Sequence, residues 1–280
     1  MGFFDRLSNG WSLAWQSVKI VWANKKLMVF PVVSAVFLIL VLGSFAGGLY
    51  GVGLFEFFFE EEGELTAGQQ TLSYVLLFAF YFISYFIIIF FNIGLIHCAN
   101  YALNGADFSI GTGLSFSFSR IGAIATWALV SATVGVILRM IEQRSQRVMQ
   151  FVVSLLGMAW SILTFFVVPV IAYEKLGPFA SIKRSGALFR RTWGERVGAR
   201  FAFGLIGFLL TLLIALPVGL LLGLVHPIAG IAAGFICLLI ISVLTATAQT
   251  VFKAAAYQYA IGRPAESFSS EELQHAFAPR

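Results

Sequence analysis

The sequence predicts an all-α, polytopic membrane protein: six transmembrane helices arranged as three hairpins, with interfacial amphipathic helices on the cytoplasmic face. Three observations predict it. Six long stretches between Leu27 and Phe252 contain no Asp, Glu, Lys or Arg, and nearly every charge lies in the segments between them. Hydrophobic residues make up 59% of the 280-residue chain and charged residues 11%, with a mean hydropathy of +0.91, outside the soluble range. Thirty Phe would have nowhere to go in a soluble domain of this size.

A helix needs about 20 apolar residues to cross about 30 Å of hydrocarbon. Cutting the charge-free runs by that length and by helix breakers places spans near 27–53, 72–98, 121–138, 148–172, 201–222 and 228–250. Residues 1–26 form an amphipathic segment before the six-helix domain 27–252, and 253–280 form a tail. Phe201 to Phe252 is too long for one crossing, and Gly219, Gly223 and His226-Pro227 supply a break that makes a tight hairpin. The third span is the shortest. The N-terminal residues, rich in Trp and Lys, lead into an apolar stretch too long for a signal peptide's core, so it reads as an uncleaved first span. The opening Met1-Gly2-Phe3-Phe4-Asp5-Arg6 lacks the Ser or Thr that a myristoylation signal requires.

Basic residues orient the spans, because loops rich in Lys and Arg are retained in the cytoplasm. Of the 18 Lys and Arg, fifteen fall in the N-terminal segment, the second and fourth loops and the C-terminal tail. The other three, Arg139, Arg144 and Arg147, share the third loop with Glu142, and the first loop carries Glu56, Glu60, Glu61, Glu62 and Glu64. Both termini are therefore expected in the cytoplasm and the chain in the plasma membrane as a multi-pass protein. The third loop is the awkward member, and a re-entrant pair of spans three and four would remove the awkwardness.

Between Gly177 and Val197, Pro178 suits an early helical position, and Phe179, Ile182, Gly186, Phe189, Trp193 and Val197 share one helical face. Arg184 and Arg191 point away from that face, while Lys183, Arg190 and Arg196 flank it, where their stems can reach lipid phosphates. The N-terminal segment repeats this logic with Phe4, Leu7, Trp11, Trp15, Val18 and Trp22 beside Lys19, Lys25 and Lys26. A weaker version has Ile110, Leu114 and Phe118 four apart before Arg120, although the Ser alternation from Leu114 to Ser119 also fits a strand. Three tandem units result, each an amphipathic helix followed by a membrane hairpin. The lipid-interface residues expected from these segments are Trp11, Trp15, Trp22, Lys183, Arg184, Arg190, Arg191 and Trp193.

The run Gly177-Pro178-Phe179-Ala180-Ser181-Ile182-Lys183-Arg184-Ser185, with Phe189-Arg190-Arg191-Thr192-Trp193-Gly194, resembles a pattern of prokaryotic multispan proteins, including the membrane domain of some glycerophosphodiester phosphodiesterases. Asn9-Gly10-Trp11-Ser12-Leu13, Asn24-Lys25-Lys26-Leu27, Phe30-Pro31 and Ser131-Ala132-Thr133-Val134-Gly135 resemble an uncharacterised prokaryotic integral membrane family, a domain of unknown function. The resemblance implies a six-helix membrane fold and no known chemistry. A phosphodiesterase would need a separate catalytic domain, and no segment is long or polar enough to be one.

Other candidates have plainer alternatives. The glutamates from Glu56 to Glu64 fit a solvated acidic loop better than a cation site, since they lack the spacing and turn glycine of a calcium loop. His97, near Asn92, Cys98 and Asn100, is a helix-end polar group or a pH-sensitive site, and His226 belongs to a turn. Cys98 and Cys237 read as inert core thiols. Thr245, Thr247, Gln249 and Thr250, with Ser73, Tyr74, Tyr81, Ser84 and Tyr85, could line a hydrated path or make interhelical hydrogen bonds. Glycines four apart at Gly43/Gly47/Gly51, Gly219/Gly223 and Gly230/Gly234 suit close packing within one chain or in a homo-oligomer, and Pro169 and Pro217 suit kinks.

Motifs of hydrolases, nucleotide-binding loops and metal centres are absent from the sequence, as is an ionisable residue central to a span. No cofactor, metal or nucleic acid is expected. The leading expectation is a non-enzymatic scaffold or assembling component that engages anionic lipid or a cytoplasmic partner through its basic helices. A channel or transporter for a small or lipidic solute is the alternative, and a lipid-acting enzyme near His97 comes third.

Overall fold

The structure, a computed structural model, describes residues 3–51, 67–143, 147–191, 193–263 and 265. Among these residues the secondary structure is helical, with no strand. The chain order is α1 (Phe3–Ala23), a 3-10 turn (Lys25–Met28), α2 (Val29–Gly51), α3 (Ala67–Leu103), α4 (Ile110–Phe118), α5 (Ile121–Gln143), α6 (Arg147–Leu163), α7 (Val167–Tyr173), α8 (Pro178–Arg191), α9 (Trp193–Leu210), a π turn (Thr211–Ala215), α10 (Leu216–Val225) and α11 (Pro227–Ala260). Six stretches are long and apolar enough to cross a membrane: Lys25–Gly51, Gly68–Leu103, Ile121–Glu142, Val152–Tyr173, Ala202–Val225 and Pro227–Ala260. Each overlaps one of the six predicted spans, and spans three and four are each 22 residues long.

Two spans are much longer than a crossing requires. α3 has 37 residues and α11 has 34, roughly 50–55 Å of helix at 1.5 Å per residue. Each stops at a glycine in the left-handed region, Gly105 (φ 65°) after α3 and Gly262 (φ 79°) after α11. There the chain reverses and offers N–H groups to the last carbonyls, as in Ala106 N to Tyr101 O at 2.9 Å and Arg263 N to Gln258 O at 2.9 Å.

Prolines interrupt two other spans. Pro169 has no N–H and its ring collides with the carbonyl four residues back, so the fourth span breaks at 164–166 and resumes as α7. Pro217 acts more gently: the turn before it widens, with Leu216 N bonding Thr211 O five residues back, and the span continues. His226-Pro227 ends α10 and starts α11, as predicted. Gly219 and Gly223 do not contribute to that break; they lie inside α10.

The chain forms two compact units, one of residues 1–32, 94–116 and 187–280, the other of residues 33–93 and 117–186. In the first, α1 packs on α9 and α11, with Leu13, Ala14, Ser17, Val18 and Val21 buried on its inner side. α10 and α11 meet backbone to backbone: a Cβ on Gly230 would meet Gly223 and stand 2.5 Å from the Gly219 carbonyl oxygen. Gly113 of α4 is equally confined, between Phe30, Cys98 and the Gly94 carbonyl. In the second unit α2 lies against α3 through Phe37–Phe91 and Phe45–Phe80 ring contacts, and α5 lies against α6 through stacked Trp127 and Trp160. Gly43, Gly47 and Gly51 have open space where a side chain would be.

The glycines thus differ sharply in consequence. Gly230→Ala should destabilise the protein by about 1–3 kcal/mol, because the atoms it meets are backbone and cannot turn aside. Gly43→Ala should be neutral or slightly stabilising, since Ala is the better helix former. Thermal unfolding of the purified protein, followed by thiol exposure, should separate the two variants.

Candidate membrane-interface site

The aromatic and basic residues singled out from the sequence lie mostly on α1 and α8. On α1, Trp11, Trp15 and Trp22 are 37%, 44% and 63% exposed, and Lys19, Lys25 and Lys26 are exposed near them. Lys25 Nζ stands 5.2 Å from the centre of the Trp22 ring, a cation–π arrangement that keeps charge and ring together. At 100° per residue the tryptophan stripe is turned about 100° from the buried stripe of Ala14, Ser17 and Val21.

α8 is built to the same plan. Its buried residues are Ser181, Ser185 and Leu188, four and three apart. Phe179, which is 77% exposed, shares the next stripe round with the half-buried Ile182 and Phe189, and Lys183 and Arg190 are exposed beyond it. Going round either helix in the same sense, the order is small buried residues, aromatic and aliphatic side chains, then basic groups. α4 is helical rather than extended, and it too buries small residues, Gly113 and Ser117, while leaving Phe118 exposed.

Two expectations are corrected here. The predicted helix 177–197 is not continuous: α8 ends at Arg191, and Trp193 onward belongs to the helix that becomes the fifth span. Arg191 closes α8 and Trp193 opens α9, and their side chains lie outside the described ones. Arg184 is not a free cation, because its Nε donates to both oxygens of Glu174, at 3.0 and 2.8 Å. Lys183 and Arg190 remain as exposed charges. Glu174 was the residue that reading by helical face passed over, although it is one of two acids among residues 173–200. The glutamates Glu56 to Glu64 lie outside the described residues.

Of the polar residues marked for a hydrated path, Thr245, Thr247 and Thr250 donate to Ile241 O, Val243 O and Ala246 O at 2.8, 2.6 and 3.1 Å, which spends their hydroxyl hydrogens within their own helix and leaves the oxygens able to accept. Ser84 Oγ is buried with no hydrogen-bond partner among the described residues. Tyr81 and Tyr85 pack against Gly135. His97 is stacked flat on Phe116 at 3.9 Å and meets Tyr101 edge-on at 5.2 Å. Beside it Gln258 Nε2 donates to Asn100 Oδ1 at 2.9 Å, linking the ends of α11 and α3 across 158 residues of sequence. Among the described residues no three His, Cys, Asp or Glu gather as a metal site would require.

Six helices of this length and apolarity define the class as a multi-pass helical membrane protein. Within that class the chain belongs to a family of unknown function, DUF6159, whose profile matches residues 71–266. This agrees with the resemblance to an uncharacterised membrane family. No curated protein matches the chain, and the likeness to the membrane domain of glycerophosphodiester phosphodiesterases finds no support in the comparisons.

The different environments of neighbouring cations carry a prediction. Arg184→Gln should lower stability by about 1 kcal/mol by unpairing Glu174, whereas Lys183→Gln should stay within about 0.5 kcal/mol of the parent. Thermal unfolding of the two variants checks it.

Proposed function

We propose that this chain is a non-enzymatic membrane scaffold or assembling component of the plasma membrane, held to the anionic cytoplasmic leaflet by α1 and α8. The observation that carries the reading is the shared order of faces on these two helices. Each turns small residues toward the protein and leaves rings exposed beside basic groups, the arrangement of a helix lying in the headgroup layer. Tryptophan favours that layer, and each Lys or Arg close to an anionic surface contributes about 1 kcal/mol. Among the described side chains, Lys19 of α1, Lys25 and Lys26 just after it, and Lys183 and Arg190 of α8 are exposed cations. Arg184 supports binding less, since Glu174 already neutralises it.

Four spans separate α1 from α8, so both helices reach the same side if every span crosses. The excess of Lys and Arg in the N-terminal, second, fourth and C-terminal segments supports the cytoplasm as that side, with both termini there. The anionic headgroup is the partner of clearest chemistry, and a second copy of the chain or a cytoplasmic protein would assemble on the platform so formed. A channel or transporter is the lesser reading, because the sequence has no ionisable residue central to a span and the threonine hydroxyls of α11 use their donors within their own helix.

Two measurements test this. In intact cells an impermeant thiol reagent should label Glu61→Cys and leave Lys183→Cys unlabelled; the reverse pattern rejects the orientation. Full-length protein extracted from mixed phosphatidylcholine and phosphatidylglycerol bilayers should retain phosphatidylglycerol. Removing two surface charges in the Lys183→Gln/Arg190→Gln variant should weaken that retention by about thirtyfold. Undiminished retention would exclude α8 as the electrostatic anchor.

A further inference from the structure

At the break in the fourth span a backbone donor is met from another helix. Phe165 N reaches Ile162 O at 3.3 Å and Val167 N reaches Thr164 O at 3.0 Å, both within the span. Phe166 N donates to Ser185 Oγ of α8 at 2.9 Å, nineteen residues further on. Phe166 and Val167 are fully buried, so the hydroxyl substitutes for water that has no access.

The neighbours of Ser185 tie down the rest of the bend. A Cβ on Gly186 would stand 3.4 Å from Leu163 Cδ2, which puts the α8 backbone beside the last residue of α6. Arg184 holds Glu174, the residue that caps the far end of α7. Ser181 Oγ donates to Leu176 O at 3.3 Å, and Ser181 N to Gly177 O at 2.9 Å. Residues 181–186 of α8 therefore bracket both sides of the break, and α8 cannot leave without breaking the bond between Phe166 N and Ser185 Oγ in an apolar surround.

We propose that α8 is a latch on the bend of the fourth span, so that anionic lipid drawing α8 onto the membrane surface fixes that bend. The latch follows from these contacts; its control by lipid rests on the function proposed above. Lys183 and Arg190, on another side of α8 from Ser185, are the groups through which headgroup charge would act.

Hydrogen–deuterium exchange of a peptide covering residues 160–170 tests both parts, measured on full-length protein in nanodiscs of phosphatidylcholine alone or mixed with phosphatidylglycerol. The parent should exchange more slowly in the anionic discs. Ser185→Ala should exchange about tenfold faster in both lipids, because the Phe166 amide has lost the Ser185 hydroxyl as acceptor. Glu174→Gln, altered at a part-exposed site and therefore safe for folding, should accelerate exchange to a smaller degree in both. Lys183→Gln/Arg190→Gln in anionic discs should match the parent in neutral discs.

Parent-like exchange in both Ser185→Ala and Glu174→Gln overturns the latch. Equal exchange of the parent in the two lipids, with phosphatidylglycerol still retained through Lys183 and Arg190, overturns the lipid control alone. If that retention is absent, the lipid-binding reading of α8 has failed, and Ser185→Ala then decides the latch by itself.

Discussion

Hydrocarbon offers no hydrogen bonds, so each backbone N–H and C=O inside it must find a partner within the protein. Much of this structure follows from meeting that demand where proline prevents an ordinary helix. At Pro217 the helix meets it locally by widening one turn. At Pro169 it does not, and a hydroxyl is supplied from α8. Among the buried hydroxyls, Ser17 and Thr247 donate to the carbonyl four residues back and Ser117 donates to Phe90 O of the neighbouring helix at 2.8 Å, whereas Ser84 Oγ has no hydrogen-bond partner among the described residues.

A second economy concerns size. Helices approach closely in this chain where residues are small, as at Gly219, Gly230 and Gly234, whereas the large apolar side chains of α10 and the first half of α11 point outward. Leu224, Ile228 and Ile231 are among the most exposed residues of the structure. In water this arrangement would be unstable; against lipid tails it costs little, because a leucine gains nothing by leaving one apolar surround for another. The same inversion explains α1 and α8, whose buried faces are built from Ala, Ser, Val and Leu while their rings stay outside.

The spans were legible because an uninterrupted apolar run of sufficient length is a property of sequence alone, and their ends differ from prediction mainly where helices continue past the apolar run. α3 and α11 carry on through Asn100 and Gln258, residues that hydropathy places outside a span but that pair with each other. The interfacial stripe on α1 and α8 was legible as a pattern. Its relation to the protein was not: helical spacing distinguishes an aromatic side from a basic one, but it does not reveal that Ser181 and Ser185 form the docking side, since a serine stripe looks like a solvated one. The Arg184–Glu174 pair was hidden for a similar reason, as its members lie on different helices across the turn at Lys175.

The packing of α1 on α9 and α11 has a consequence for synthesis. α1 leaves the ribosome before α9 and α11. At roughly 5–20 residues per second, about ten seconds or more separate Ala14 from the helices that will cover it. Asn100 waits in the same way for Gln258. α1 therefore waits for its final contacts while the spans that follow it are made, and any quality-control machinery that inspects the nascent protein meets an uncovered α1 throughout that interval.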